Sequence, residues 1–142
     1  MTWTYNNTPI TEPPEGMIGF VYCITKTSSG KKYIGKKLFS FSKTTYKTVK
    51  LKNGNKKRKK TKGKIESDWK QYFGSSIHLT EDISNSGKDQ FTREILYFCK
   101  SKSECSYVEA KLQFEFKVLE SDNFYNNQIS VRIHGSHIIN KI

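Results

Sequence analysis

The run from Ile18 to Thr25 alternates and is rich in β-formers, with Ile18, Phe20, Tyr22 and Ile24 on one side of an extended chain. That period of two, in a run of β-formers, predicts a strand. Ser28-Ser29-Gly30 supplies turn chemistry, and Lys31 to Phe39 reads as a second strand closing an antiparallel hairpin. A basic stretch follows, with Asn53-Gly54 at its centre marking a tight turn and predicting a protruding hairpin there. Trp69 and Phe73, four apart, predict a short helix over 66–73 ended by Gly74. Ser75 or Ser76 caps a second helix running to about Ser84, before Gly87. Phe91 to Cys99 reads as a third strand. Ser103 is positioned to cap a long helix from Glu104 to about Glu120, with an apolar stripe of Cys105, Val108, Leu112, Phe116 and Leu119. From Phe124 onward the pattern supports only a short extended piece. The order β-β-α-α-β-α predicts an α/β fold, a small sheet covered by helices.

Length bounds this to one domain. At 142 residues the chain builds one modest core. The polar, Pro-containing start reads as a short loose arm over 1–15, ahead of a domain over 16–142. No basic start leads into an apolar run, and no apolar segment nears the roughly 20 residues that cross a bilayer, so a cytoplasmic protein without membrane association is expected. Cys23, Cys99 and Cys105 lack C-x-x-C spacing; reduced, buried thiols are expected, and no zinc site.

Charge changes the picture more. The formal net charge is +12, and 11 basic and no acidic residues lie within 43–64. The remainder holds 14 basic against 13 acidic residues, so the charge is confined to one insertion. Like charges so crowded repel, and a polyanion relieves that repulsion while releasing counterions. Nucleic acid is the partner that charge alone points to.

Phe20-Val21-Tyr22, ten intervening residues, then Tyr33-Ile34-Gly35 resembles the paired motif of the GIY-YIG nucleases, with Phe-Val-Tyr in place of Gly-Ile-Tyr. The resemblance extends through ESDWKQYFGSS, FTREILYFC, a glutamate on the next helix and a following asparagine, as in small phage-type members. It implies a three-stranded antiparallel sheet flanked by helices, here with the basic insertion 43–64 after the second strand. The implied activity is hydrolysis of DNA phosphodiester bonds, duplex favoured, with one divalent metal ion, Mg²⁺ or Mn²⁺. Host cytoplasm is the implied location if the chain is phage-encoded.

Residue by residue, Tyr22 and Tyr33 match the motif tyrosines, one of which would help deprotonate the attacking water; as plain strand residues they would simply pack on the sheet. Gly35 is the motif glycine. Lys36 matches a lysine of the excision-repair branch, suited to the charge that builds on the phosphate. Glu109, at the edge of an apolar helix face where a carboxylate is costly unless paired, matches the family's metal-binding glutamate. Asn126 resembles the family asparagine, with Asn127 as the other candidate. The family arginine, eight residues past the motif glycine, is replaced by Lys43. Either Lys36, Lys37 or Lys43 supplies that charge, or Arg58 or Arg93 reaches in from elsewhere. A point charge lacks the bidentate fork of arginine, which leaves a non-catalytic nucleic-acid-binding protein on the same fold as the alternative. His78 reads as a helix surface residue, and His134 and His137 as weak phosphate contacts. One active site nicks one strand, so oligomeric state, a dimer included, stays open.

Overall fold

The computed structural model describes residues 2–138. Its strands are β1 (Thr4–Tyr5), β2 (Thr8–Pro9), β3 (Gly19–Lys26), β4 (Lys32–Leu38), β5 (Ser40–Lys50), β6 (Lys56–Glu66) and β7 (Phe91–Cys99). Its helices are α1 (Ile77–Ser86) and α2 (Lys102–Glu115), with 3₁₀ turns at Lys88–Gln90 and Gly135–His137. The main sheet has five strands in the order β2-β1-β7-β3-β4, while β5 and β6 pair only with each other. The three long strands β7, β3 and β4 are antiparallel, but β1 joins β7 in parallel at Thr4 and Glu94. The expected three-stranded antiparallel sheet is therefore a mixed sheet of five strands.

Both faces of β3 are buried, because a separate core packs on each side of the sheet. Phe20, Tyr22 and Ile24 pack with Trp3, Phe39, Trp69, Leu79 of α1, Phe91 and Ile95 on one face. Val21 and Cys23 pack with Ile34, Cys99, Cys105, Val108 and Val118 on the other, under α2. The three cysteines are free thiols in these cores.

The N-terminal arm is not loose. Trp3 is 1% exposed, its ring lies edge-on to Phe20, and its indole N–H donates to the Trp69 carbonyl at 2.6 Å. The expected helix over 66–73 is instead a turn. Ser67 Oγ donates to the Leu38 carbonyl and accepts from the Trp69 N–H, while the Arg93 guanidinium binds the Lys70 and Tyr72 carbonyls at 3.0 and 2.9 Å. Eight residues are too few to hold a helix by themselves, and here tertiary partners fix the segment as a turn instead.

Helix α1 begins at Ser76, whose Oγ accepts from the Leu79 N–H, and ends at Gly87. Helix α2 is capped by Ser101 and not by Ser103, and it stops at Glu115, short of Glu120. Lys117 has φ of 53°, and the Val118 N–H donates back to the Gln113 carbonyl. This left-handed reversal folds Val118 into the core and leaves Phe116 and Leu119, expected on the apolar stripe, about half exposed.

Strand β4 is an edge, and an edge leaves backbone groups to be satisfied. The Lys32 N–H donates to the Asn123 carbonyl, and the Tyr125 N–H donates to the Lys32 carbonyl. Two residues on, Ile34 meets the side chains of Asn126 and Gln113. The segment after α2 is thereby laid along the open edge of β4.

Candidate active site

Tyr22 and Gly35 are directly paired across β3 and β4. A Cβ at Gly35 would lie 2.5 Å from the Tyr22 hydroxyl and 2.7 Å from Cζ, so no other residue admits the Tyr22 ring there. That ring is 1% exposed, edge-on to Tyr72 and tilted against Tyr33 at 6.2 Å. Burial, then the neighbouring Tyr72 and Tyr33 phenols, pushes the Tyr22 phenol well above its ordinary value. Tyr33 is half-buried, with its hydroxyl 3.3 Å from Ser75 Oγ. Burial raises its pKa too, against the hydrogen bond to Ser75.

Tyr33, Glu109 and Asn126 line one open cleft of about 460 Å³, together with Ser75, Ser76, His78 and Gln113. Burial raises the Glu109 carboxyl above its ordinary 4.5, opposed by the charge and backbone N–H of Lys36. Among the described residues Glu109 makes no salt bridge. Lys36 is exposed, with its ammonium on Ser106 Oγ of α2. Tyr33, Glu109 and Asn126 thus share one cleft. Lys36 lines a separate one with Lys37, Asp68 and Ser106, while its backbone N–H meets Glu109. Gly35 and Tyr22 lie in the sheet between them.

The remaining candidates lie elsewhere. Lys37 reaches Asp68 at 2.6 Å and sits over the Tyr72 ring. That hydrogen bond holds the Asp68 carboxyl below its ordinary range. Lys43 and Arg58 belong to the β5–β6 hairpin, and Arg58 stacks on Tyr46 at 4.1 Å. Arg93 is not available for phosphate. It is 4% exposed between the Trp3 and Phe73 rings, and burial lowers its pKa to about 10. It organises the 70–73 turn, which explains an arginine inside a strand. His134 bonds Ser136 and stands apart from the cleft, as does His137.

Asn126 acts on the backbone. Its Oδ1 accepts from the Ile34 N–H at 3.1 Å and its Nδ2 donates to the Ile34 carbonyl at 2.8 Å, fixing the strand between Tyr33 and Gly35. Asn127 lines the cleft without such a clamp. Gln113, one turn beyond Glu109, donates to the same carbonyl at 3.0 Å. Its spacing of four from Glu109 was a usable signal. His78, read as surface, lies in the first turn of α1 on the cleft wall. The positive end of that helix faces the cleft, which favours an anion there.

Among the described residues no group of three or more His, Cys, Asp or Glu could hold a metal ion. Any cation in this cleft would therefore rest on Glu109 as its protein carboxylate. That set fits Mg²⁺, which keeps most of its waters and takes phosphate oxygens as ligands. No helix of the described residues is long and apolar enough to cross a membrane.

The fold and this cleft have the character of a nuclease domain, and comparison of sequences agrees. The family described as putative endonuclease segE, GIY-YIG domain, matches over residues 3–129. The chain belongs to this family of GIY-YIG endonucleases, and nucleic acid is the substrate class of such a domain. No curated protein and no solved structure matches the chain.

Proposed function

We propose that the chain is a divalent-metal-dependent endonuclease that hydrolyses phosphodiester bonds of duplex DNA. The observation that carries this reading is the convergence of Tyr33, Glu109 and the first turn of α1 on one cleft, with Lys36 beside Glu109. Glu109 would hold Mg²⁺ or Mn²⁺, which when bound supplies positive charge to the scissile phosphate and the leaving oxygen. The buried flank of Glu109 strengthens that attachment by keeping competing water away. Lys36 neutralises charge gathering on the phosphate as the water attacks. The first turn of α1 positions the anion. Tyr33 is the phenol at the cleft, so it orients the attacking water through its hydroxyl. Its raised pKa makes orientation, and not a standing phenolate, its role at neutral pH. Tyr22, enclosed in the core, supports Tyr33 and Gly35 from below.

Purified protein should convert supercoiled plasmid to nicked product with Mg²⁺ and not with excess EDTA. Metal-independent nicking, or none under any metal, sinks the reading. Tyr33→Phe is expected to slow nicking by about 10²-fold, the scale for losing a group that positions the attacking water. Tyr22→Phe should stay within about tenfold, because its hydroxyl does not face the cleft. The reverse order would reassign the two tyrosines.

A second reading has specific support. Neither Arg58, on the hairpin, nor Arg93, in the core, stands at the cleft, and Lys43 extends from a strand of the hairpin. A protein that binds DNA without cutting it would show salt-sensitive binding and no Mg²⁺-dependent product in the same plasmid assay.

A further inference from the structure

The β5–β6 hairpin stands apart from both cores. Nearly every residue from Phe41 to Glu66 is exposed, and β5 and β6 pair over their whole length from Ser40–Glu66 to Lys50–Lys56. A free two-stranded ribbon is marginal in water, and this one places Lys47 opposite Lys59 and Lys50 opposite Lys56. Like charges across a ladder destabilise it, so the hairpin is built for a partner that cancels them.

Register divides its charge unequally. Side chains alternate between faces along a strand. One face therefore carries Lys56, Arg58, Lys60, Lys62 and Lys64 in an unbroken row on β6. Lys50 and Tyr46 share that face on β5, with the short Ser42, Thr44 and Thr48 opposite the row. Arg58 is braced on the Tyr46 ring. The other face carries only Lys43, Lys47, Lys57 and Lys59, mixed with Phe41, Val49, Thr61, Gly63 and Ile65. The row recurs about every 6.6 Å, close to two base-pair rises of about 3.4 Å. Each strand has 11 residues, which gives a length of about 36 Å, near one turn of B-DNA.

The foot of the hairpin also stands near the cations around Glu109. Ser42 and Lys64 line a small cleft with Ser101 and Lys102 at the start of α2. Lys102 in turn shares a second cleft with Lys36 and Ser106. Cations thus continue from the row through Lys102 to Lys36, next to Glu109.

We infer that the β5–β6 hairpin is the DNA-docking ribbon of this chain, lying along a groove of the duplex with its Tyr46 face on the phosphates. The inference rests on the proposed DNA substrate, and not on cleavage. B-DNA's major groove, about 12 Å wide, admits a two-stranded ribbon, whereas the deep, narrow major groove of A-form RNA does not.

The test measures binding to a 30-bp duplex in EDTA, as a function of salt, for two variants matched in charge. One carries Lys56→Thr, Arg58→Thr, Lys60→Thr and Lys62→Thr; the other carries Lys43→Thr, Lys47→Thr, Lys57→Thr and Lys59→Thr. Threonine keeps the strand propensity, and amide exchange across 42–49 reports whether the hairpin persists. The first set should lower the slope of log affinity against log salt by about three to four, the second by less than about one. Equal losses with an intact hairpin overturn the proposal, as does tighter binding to duplex RNA of the same sequence. A reciprocal pair guards against unfolding. Thr44→Lys with Thr48→Lys should steepen the slope by about two, while Thr45→Lys with Thr61→Lys should leave it unchanged; the opposite order overturns the proposal. Plasmid nicking with Mg²⁺ is read separately, so a binder that never cuts leaves this result standing and sinks only the nuclease reading.

Discussion

Glu109→Gln is expected to lower Mg²⁺-dependent nicking by at least about 10³-fold while leaving DNA binding in EDTA within about twofold. Several kcal/mol of transition-state stabilisation depend on a metal held in place, and Glu109 is the carboxylate on the cleft wall. Glutamine keeps the shape of the side chain and an oxygen toward the Lys36 N–H, but removes the charge that binds the cation. The same substitution should raise the melting temperature at pH 7.5 in metal-free buffer. Burial lifts the folded-state pKa of Glu109 above its ordinary 4.5, so the folded protein holds this proton more tightly than the unfolded chain does. That contribution to stability is complete below about pH 4.5 and is lost as pH rises through the elevated value. At neutral pH the ionised carboxylate is a cost that glutamine removes, and the gain should shrink toward pH 4. Nicking within tenfold of wild type would end the assignment of Glu109. Loss of nicking accompanied by a lower melting temperature would mean that the residue holds the fold.

The residues that sequence could place are those whose local pattern matches their surroundings. β7 runs from Phe91 to Cys99 with the bounds expected for it, and the Tyr22–Gly35 pairing follows from two strands joined by one turn. Glu109 was legible because a carboxylate beside Cys105, Val108 and Leu112 breaks an apolar face. What escaped depends on partners distant in sequence. Arg93 reads as a cation free for phosphate until the carbonyls of Lys70 and Tyr72, more than 20 residues away, are seen to bind it. Helix α2 stops at Glu115 because Val118 has a pocket to enter, which the stripe of Phe116 and Leu119 does not reveal. Asn126 was found through its resemblance, but its clamp on Ile34 shows only when β4 proves to be an edge strand. For the cationic partner, Lys36 stands beside Glu109, whereas the basic insertion that dominates the composition forms a separate arm.

Trp3→Ala is expected to cost about 3–5 kcal/mol of folding stability, the range for removing a large buried aromatic. For a domain of this size that is a fall in melting temperature of about 10–20 °C. Three contacts make the loss large. The indole packs against Phe20 and Tyr22 at 5.0 and 5.1 Å, donates to the Trp69 carbonyl, and forms one side of the aromatic sandwich around Arg93. Its loss uncovers a guanidinium whose carbonyl partners hold the 70–73 turn, and with it Tyr72 against Tyr22. The strands β1 and β2 span only two residues each and attach to the sheet through one parallel pair, so Trp3 is the main anchor of the arm. Trp3→Phe should recover about half of the loss, since it restores packing without the N–H donor. The measurement is thermal unfolding followed by circular dichroism, with nicking assayed well below the transition. A shift under about 3 °C for Trp3→Ala would return the first 15 residues to the status of a loose arm. The expected fall makes them part of the platform on which the motif tyrosines stand.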